Sequence, residues 1–425
     1  MKLIGDFPWG KMTRVGVAVC LFSLIVPLII GILWGPYFND HTYATFHSVR
    51  DWVIGREWSQ TGELPLDTPL YLLALTFWAK LGISLPYAAL IFSMLGWGVV
   101  AIAICHAGIV TNHPIVAVIG TVLVVTDPLI IATLGTEVSW TVAWAWIAIV
   151  ALLQKRWRAQ TVAMVLMLYT HFDVCTLILA VLLLIIQGFV RREFPLWPSL
   201  ILAVVGLGLG AVLVWHFAYP VTYFWVGLVS GPPNSQQFPN GGDLQWLFFL
   251  FACMGLLTFL AANWRSSAIR RIVIAGLVWV IFSILSGSTV VQVMIATLVS
   301  GFVGFGIEHM LQWLKTRNTI TNYLALTFLV GLPLVIAQIS PLVWLYQHRP
   351  VNYQLLERQA GDWLRAHSET TATVFASERV GYFASRPTQV WNGSPSDPAS
   401  LVVLLQMLSA SPPACLLYTS PSPRD

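Results

Sequence analysis

The feature that most constrains this chain is the recurrence of long apolar runs almost free of charge. About 18 or more apolar residues in a row are what an α-helix needs to cross a bilayer. Candidate helices fall at 13–34, 84–106, 113–132, 138–154, 157–171, 173–190, 197–217, 244–262, 271–286, 289–309 and 322–345. Only 9% of the 425 residues are charged, against about 25% in soluble domains. Twenty tryptophans fit the same picture, because indole prefers the membrane–water boundary. The expected fold class is an all-α polytopic membrane protein of about eleven transmembrane helices. There is no polybasic patch, so nucleic acid is not an expected partner; the bilayer is. The five cysteines are scattered, with neither metal spacing nor a disulfide framework.

Lys and Arg give the topology. They cluster at the N-terminus, at Lys155, Arg156 and Arg158, at Arg191 and Arg192, at Arg265, Arg270 and Arg271, and at Lys315 and Arg317. Short loops rich in Lys and Arg stay cytoplasmic. All five clusters share one side if the helices alternate and the apolar run 69–82 does not cross. That run is short for a span and suits an interfacial or re-entrant helix. The first run, 13–34, ends in "LWGPYF" rather than a small-residue cleavage site, so it is expected to be retained. The N-terminus is then cytoplasmic, the C-terminus extracytoplasmic, and the setting the inner (plasma) membrane. The helix 157–171 is too short to span comfortably.

Charge returns abruptly in residues 37–70, "YFNDHTYATFHSVRDWVIGREWSQTGELPLDTPL". This outer loop, 35–83, carries Asp40 just after the first helix. Glu137 in "LGTEVSW" and Asp173 in "YTHFDVC", next to His171, stand at two further outer helix ends. Ionised groups in a membrane cost about 2.5–3.5 kcal/mol on insertion scales, so they are usually functional or paired. One outward cavity in which these carboxylates converge on a substrate or divalent ion is the functional reading. The alternative is capping, because a carboxylate at a helix N-terminus is favourable for dipole reasons alone. Asp127 before Pro128 reads as a turn, and Asp67 before Thr68–Pro69 as a turn and helix start. Helix centres hold almost no charge; Glu308 comes closest, near a cytoplasmic end. His106 and His113 fall in the cytoplasmic loop 106–113, away from any outer chemistry.

The order of the motifs resembles the polytopic GT-C glycosyltransferases, the lipid-phosphosugar-dependent class that includes protein mannosyltransferase-like and aminoarabinose-transferase-like enzymes. The segments that carry the resemblance are "NDHTY" (39–43), "VRDWVIGREW" (49–58), "GELP" (62–65) and "DTPLY" (67–71). In the same order follow "DPLIIATLGTE" (127–137), "THFDVCTLILAVLLLI" (170–185), "AYPVTYFWVG" (218–227) and a long segment at 355–387. Three positions depart from the family pattern: His41 where a second acid is common, His171–Phe172 in place of Arg–Pro, and Trp225 near a usual Lys. The resemblance implies transfer of a sugar from a polyprenyl-phosphate donor to an acceptor hydroxyl of a glycan, lipid or protein on the outer side. It implies Asp40 as general base with Glu137 as a second catalytic carboxylate. Substrate contacts are expected from His41, Tyr43, Arg50, Arg56, His171 and Asp173. Two arrangements are open for the leaving phosphate: a divalent cation, Mg²⁺ or Mn²⁺, on Asp40, Glu137 and His171, or a bare base–phosphate site without metal. A lipid-linked saccharide flippase and a non-catalytic protein of the same fold are the rival readings.

Residues 1–346 are thus expected to form the transmembrane domain. In 347–414 charges return; "YQLLERQAGDWLRAH" reads as an amphipathic helix and "ATVFAS" as a short strand, the start of an α/β segment. The last residues, 415–425, resemble translated sequencing-adapter read-through and are expected to lie outside the fold.

Overall fold

The structure is a computed structural model that describes residues 9–34, 40–54, 68–111, 113–172, 174–191, 253, 289–315, 351–368, 374–375, 378–385, 388–389 and 415–416. The helices are α1 (Trp9–Trp34), α2 (Asp40–Ile54), α3 (Pro69–Lys80), α4 (Leu85–Val110), α5 (Pro114–Val125), α6 (Pro128–Ala132), α7 (Val138–Leu153), α8 (Trp157–Thr170), α9 (Val174–Arg191), α10 (Thr289–Lys315), α11 (Val351–His367) and α12 (Glu378–Ala384). The expected spans 197–217, 244–262, 271–286 and 322–345 lie outside the described residues. The others fall on described helices, with 113–132 divided between α5 and α6. Asp127 makes that division: its Oδ1 accepts from the Ile130 amide at 3.4 Å, and Pro128 opens α6.

Among the described residues, two helical stretches are long and apolar enough to cross a membrane, Leu85–Val110 and Gln292–Met310. Shorter apolar helices include Leu21–Leu33, Val138–Leu153 and Thr176–Gly188. By contrast α3, with 12 residues, rises about 18 Å, well short of the roughly 30 Å hydrocarbon core. Its end is fixed by Gly82 at φ +80°: the Gly82 amide donates to the Ala79 carbonyl and the Ile83 amide to that of Trp78. This paired closure is a Schellman cap. The sequence makes α3 short because the glycine turns the chain after one apolar run.

The chain divides into two compact units. The first comprises Met1–Trp34, Asp67–Tyr71 and Leu90–Gln347. Its helices present apolar side chains outward: Ile32 and Leu33 of α1 are 66% and 62% exposed, and Val162, Val181 and Ile185 are exposed as well. Inside lie small and polar groups such as Ser23, Ser93, Thr121, Ser139 and Thr297. Such a face suits lipid, in which helix association depends on close backbone approach and interhelical hydrogen bonds. Both are present. Trp146 Nε1 donates to Thr297 Oγ1 at 2.9 Å between α7 and α10, and Gln160 Nε2 to the Leu183 carbonyl at 3.2 Å between α8 and α9. A Cβ on Gly304 would stand 3.0 Å from Val116 Cα, and one on Gly108 only 2.6 Å from the Ala117 amide nitrogen. Gly108→Val should therefore cost roughly 1–3 kcal/mol of stability through overpacking. A thermal midpoint in detergent equal to that of the parent would show that α4 and α5 do not meet there.

At the N-terminal end of α5, buried Glu308 of α10 reaches His113 Nδ1 at 3.0 Å and the Val116 amide at 3.4 Å. A carboxylate at a helix N-terminus meets free amides and the positive end of the dipole. The charge the sequence placed near a helix end thus acts between helices.

The second unit comprises Gly35–Leu66, Leu72–Ala89 and His348–Asp425. Here α12 packs against both α11 and α2. Leu364, Val380 and Ala384 form its small core with Ala360. Beside it, β1 (Val374–Phe375), β2 (Thr388–Gln389) and β3 (Cys415–Leu416) form a parallel sheet in the order β2–β1–β3. Cys415 and Leu416 pair with Val374 and Phe375, so the strand set reaches into residues expected to stay outside the fold. α11 covers the segment read as an amphipathic helix, and β1 covers two residues of "ATVFAS".

Candidate functional site

The turn between α6 and α7 carries Glu137. Glu137 takes the N-cap position of α7, with φ −68° and ψ −17°, yet its side chain makes no capping hydrogen bond. Its Oε1 instead stands 3.3 Å from His171 Nδ1, at the C-cap of α8. Both side chains are largely enclosed, 12% and 15% exposed. The side chain stays at the positive end of the α7 dipole without a capping hydrogen bond, and its carboxylate lies beside the His171 imidazole. The backbone explains the meeting. α7 and α8 run side by side, which brings the N-terminus of one to the C-terminus of the other. His171 is extended, at φ −152°, its amide donates to the Met167 carbonyl, and Thr176 Oγ1 donates to its carbonyl at 3.0 Å.

Tyr71 completes this arrangement, and reading the sequence did not single it out. Its hydroxyl donates to the Gly135 carbonyl at 2.6 Å, two residues before Glu137. Gly135 sits at φ +84°, a left-handed conformation that favours glycine. Burial pushes the Tyr71 phenol well above its ordinary pKa, and the nearby Glu137 charge adds to the rise. Its ring packs near Phe92 at 5.9 Å, and Phe92 stacks on Trp140, whose Nε1 donates to the Phe92 carbonyl at 2.8 Å. The only sequence signal for Tyr71 was its place in "DTPLY".

In the second unit, α2 shows what the charged loop becomes. Asp40 is its first residue and His41 its second; neither side chain lies among those described. Tyr43, Phe46 and Val49 are buried. The Tyr43 ring meets Tyr382 at 5.6 Å and Phe383 at 5.7 Å, and the Arg379 guanidinium lies 5.2 Å from its centroid. Arg379 in turn pairs with Glu357. Arg50 donates to the Tyr382 carbonyl at 2.7 Å, contacts His47 Nδ1 at 2.9 Å and covers the Tyr382 ring. Burial raises the Tyr382 phenol, and the Arg50 charge opposes that rise. Tyr43 and Arg50, expected to touch substrate, thus also join α2 to α12. Arg56 and Asp173 lie outside the described residues.

For a metal, the pair contributes one carboxylate oxygen and one imidazole nitrogen. Among the described residues no group of three or more His, Cys, Asp and Glu comes together.

No family model and no curated protein matches the chain. Solved structures do. ArnT from Cupriavidus metallidurans bound to undecaprenyl phosphate superposes with a TM-score of 0.59 at 13% identity, over 93% of this chain and 88% of that one. Its apo form gives 0.56 at 12% identity, over 95% and 89%. The oligosaccharyltransferase of Archaeoglobus fulgidus, in complex with Zn and sulfate, gives 0.58 at 13% identity, over 87% of this chain and 61% of that one. What such distant likeness establishes is architecture: the chain has the fold seen in these ArnT and oligosaccharyltransferase structures.

Proposed function

We propose that this protein is a membrane glycosyltransferase that moves a sugar from a polyprenyl-phosphate carrier to an acceptor hydroxyl at the extracytoplasmic face. The observation that carries the reading is the Glu137–His171 pair, 3.3 Å apart at one end of a helix bundle with the GT-C fold. That a structural neighbour is bound to undecaprenyl phosphate supports the choice of carrier.

In this mechanism the acceptor oxygen attacks the anomeric carbon as the bond from that carbon to the phosphate oxygen breaks. Asp40 takes the acceptor proton, and the polyprenyl phosphate departs as the leaving group. Glu137, held against His171, is the second carboxylate and orients the sugar. His41, Tyr43, Arg50, Arg56 and Asp173 complete the proposed substrate contacts, with Arg50 and Arg56 placing positive charge for the leaving phosphate. Asp40, Glu137 and His171 would hold a divalent cation. The nitrogen donor among them suits Mn²⁺ better than Mg²⁺. When bound, such an ion would supply positive charge for the leaving phosphate.

The test is sugar transfer in proteoliposomes supplied with a panel of undecaprenyl-phosphate-linked sugars. Glu137→Gln keeps the shape and removes the charge, and should lower turnover about 100-fold, the scale of loss when a group that positions the substrate is weakened. Movement of the lipid-linked sugar across the bilayer without chemical change would replace this reading with that of a flippase.

A further inference from the structure

We propose that Tyr71 is a positioning residue for Glu137: by donating to the Gly135 carbonyl, its hydroxyl fixes the turn from which the Glu137 carboxylate projects toward His171. The inference rests on the reading of Glu137 as a catalytic carboxylate. Four observations carry it. Tyr71 is 1% exposed, and its 2.6 Å hydrogen bond joins positions 64 residues apart. The carbonyl it holds belongs to a glycine in the left-handed region, the point at which the turn 133–137 has most freedom to change direction. Further into the turn, Thr136 Oγ1 donates to the Thr133 carbonyl at 2.7 Å and accepts from the Val138 amide at 3.4 Å, so Gly135 is the joint that an outside group must hold. Glu137 itself makes no capping bond that would orient it from within α7.

Chemistry favours a phenol in this place. A phenol reaches further than a serine or threonine hydroxyl, and its ring is already seated beside Phe92. Its hydroxyl can donate to the carbonyl while staying neutral beside a carboxylate, which a lysine could not do. Held this way, Glu137 presents its oxygen in one direction, and a fixed direction is what a positioned carboxylate contributes to turnover.

The experiment replaces Tyr71 with Phe, and by amber suppression with 4-methylphenylalanine and 4-aminophenylalanine. The first two keep the ring and lose the donor; the third restores a donor at the same reach. Transfer from undecaprenyl-phosphate-linked sugar is measured as kcat and KM, with the thermal midpoint as a check on folding. The expected result is a kcat lowered about tenfold in the Phe and 4-methyl variants, with KM within about twofold, and recovery to within about twofold in the 4-amino variant. A Phe variant that turns over like the parent, a change in KM alone, or a 4-amino variant as slow as the 4-methyl one at equal thermal midpoint would overturn the role. If the parent itself transfers no sugar, the glycosyltransferase reading falls and this inference with it; an active parent with an equally active Phe variant removes only the inference.

Discussion

Asp40→Asn should lower sugar transfer by about 100- to 10,000-fold, the range a positioned general base supplies. The substitution keeps the size and planar shape of the side chain and removes only its ability to accept the acceptor proton. It should leave the fold alone. Asp40 opens α2, where Asn serves almost as well at a helix start and the dipole contribution of a carboxylate is only about 0.3–1 kcal/mol. The groups that seat α2 lie further along, at Tyr43, Phe46, Val49 and Arg50. Initial rates should therefore collapse while the thermal midpoint stays nearly constant. Turnover equal to that of the parent would remove Asp40 from the chemistry.

Tyr43→Ala should have the largest effect on stability, about 3–5 kcal/mol, as for other buried large aromatics. Tyr43 is 2% exposed and touches Phe46, Tyr382 and Phe383, and its ring lies under the Arg379 guanidinium. Its loss leaves a cavity and strips a partner from a largely buried cation. Proteolysis of the segment from residue 351 onward should accelerate, and transfer should fall with it, because α2 begins with Asp40. Tyr43→Phe separates the two roles assigned to this side chain. A ring that only packs predicts parent-like transfer; a hydroxyl that binds sugar predicts slower transfer at nearly unchanged stability. Unaltered proteolysis of the Ala variant would mean that α2 and α12 do not share a core.

The same contact explains how a tail so short acquires a core. The two helices and three two-residue strands described there bury little apolar surface by themselves. Further apolar contact comes from α2, more than 300 positions earlier in the chain, where Tyr43 and Phe46 meet the Tyr382 ring and Arg50 donates to the Tyr382 carbonyl. No local pattern in the charged loop announces this, because Tyr43, Phe46 and Val49 are few among polar neighbours.

The sequence by itself determined the helical class of the fold, for a plain reason: apolar runs are local features of the chain. It determined the helices around residues 13–34, 84–106, 138–154, 157–171, 173–190 and 289–309, and the shortness of the run 69–82, which ends at Gly82. It also marked Glu137 and His171 as candidates, each at a helix end. Tertiary structure alone decided that these two side chains meet, that Glu137 makes no capping hydrogen bond, and that the Tyr71 hydroxyl donates to the Gly135 carbonyl in the turn before Glu137. Those outcomes depend on the packing of α7 against α8 and on a hydrogen bond across 64 residues. Side-chain direction at such distances is fixed by how helices pack, which no window along the chain records.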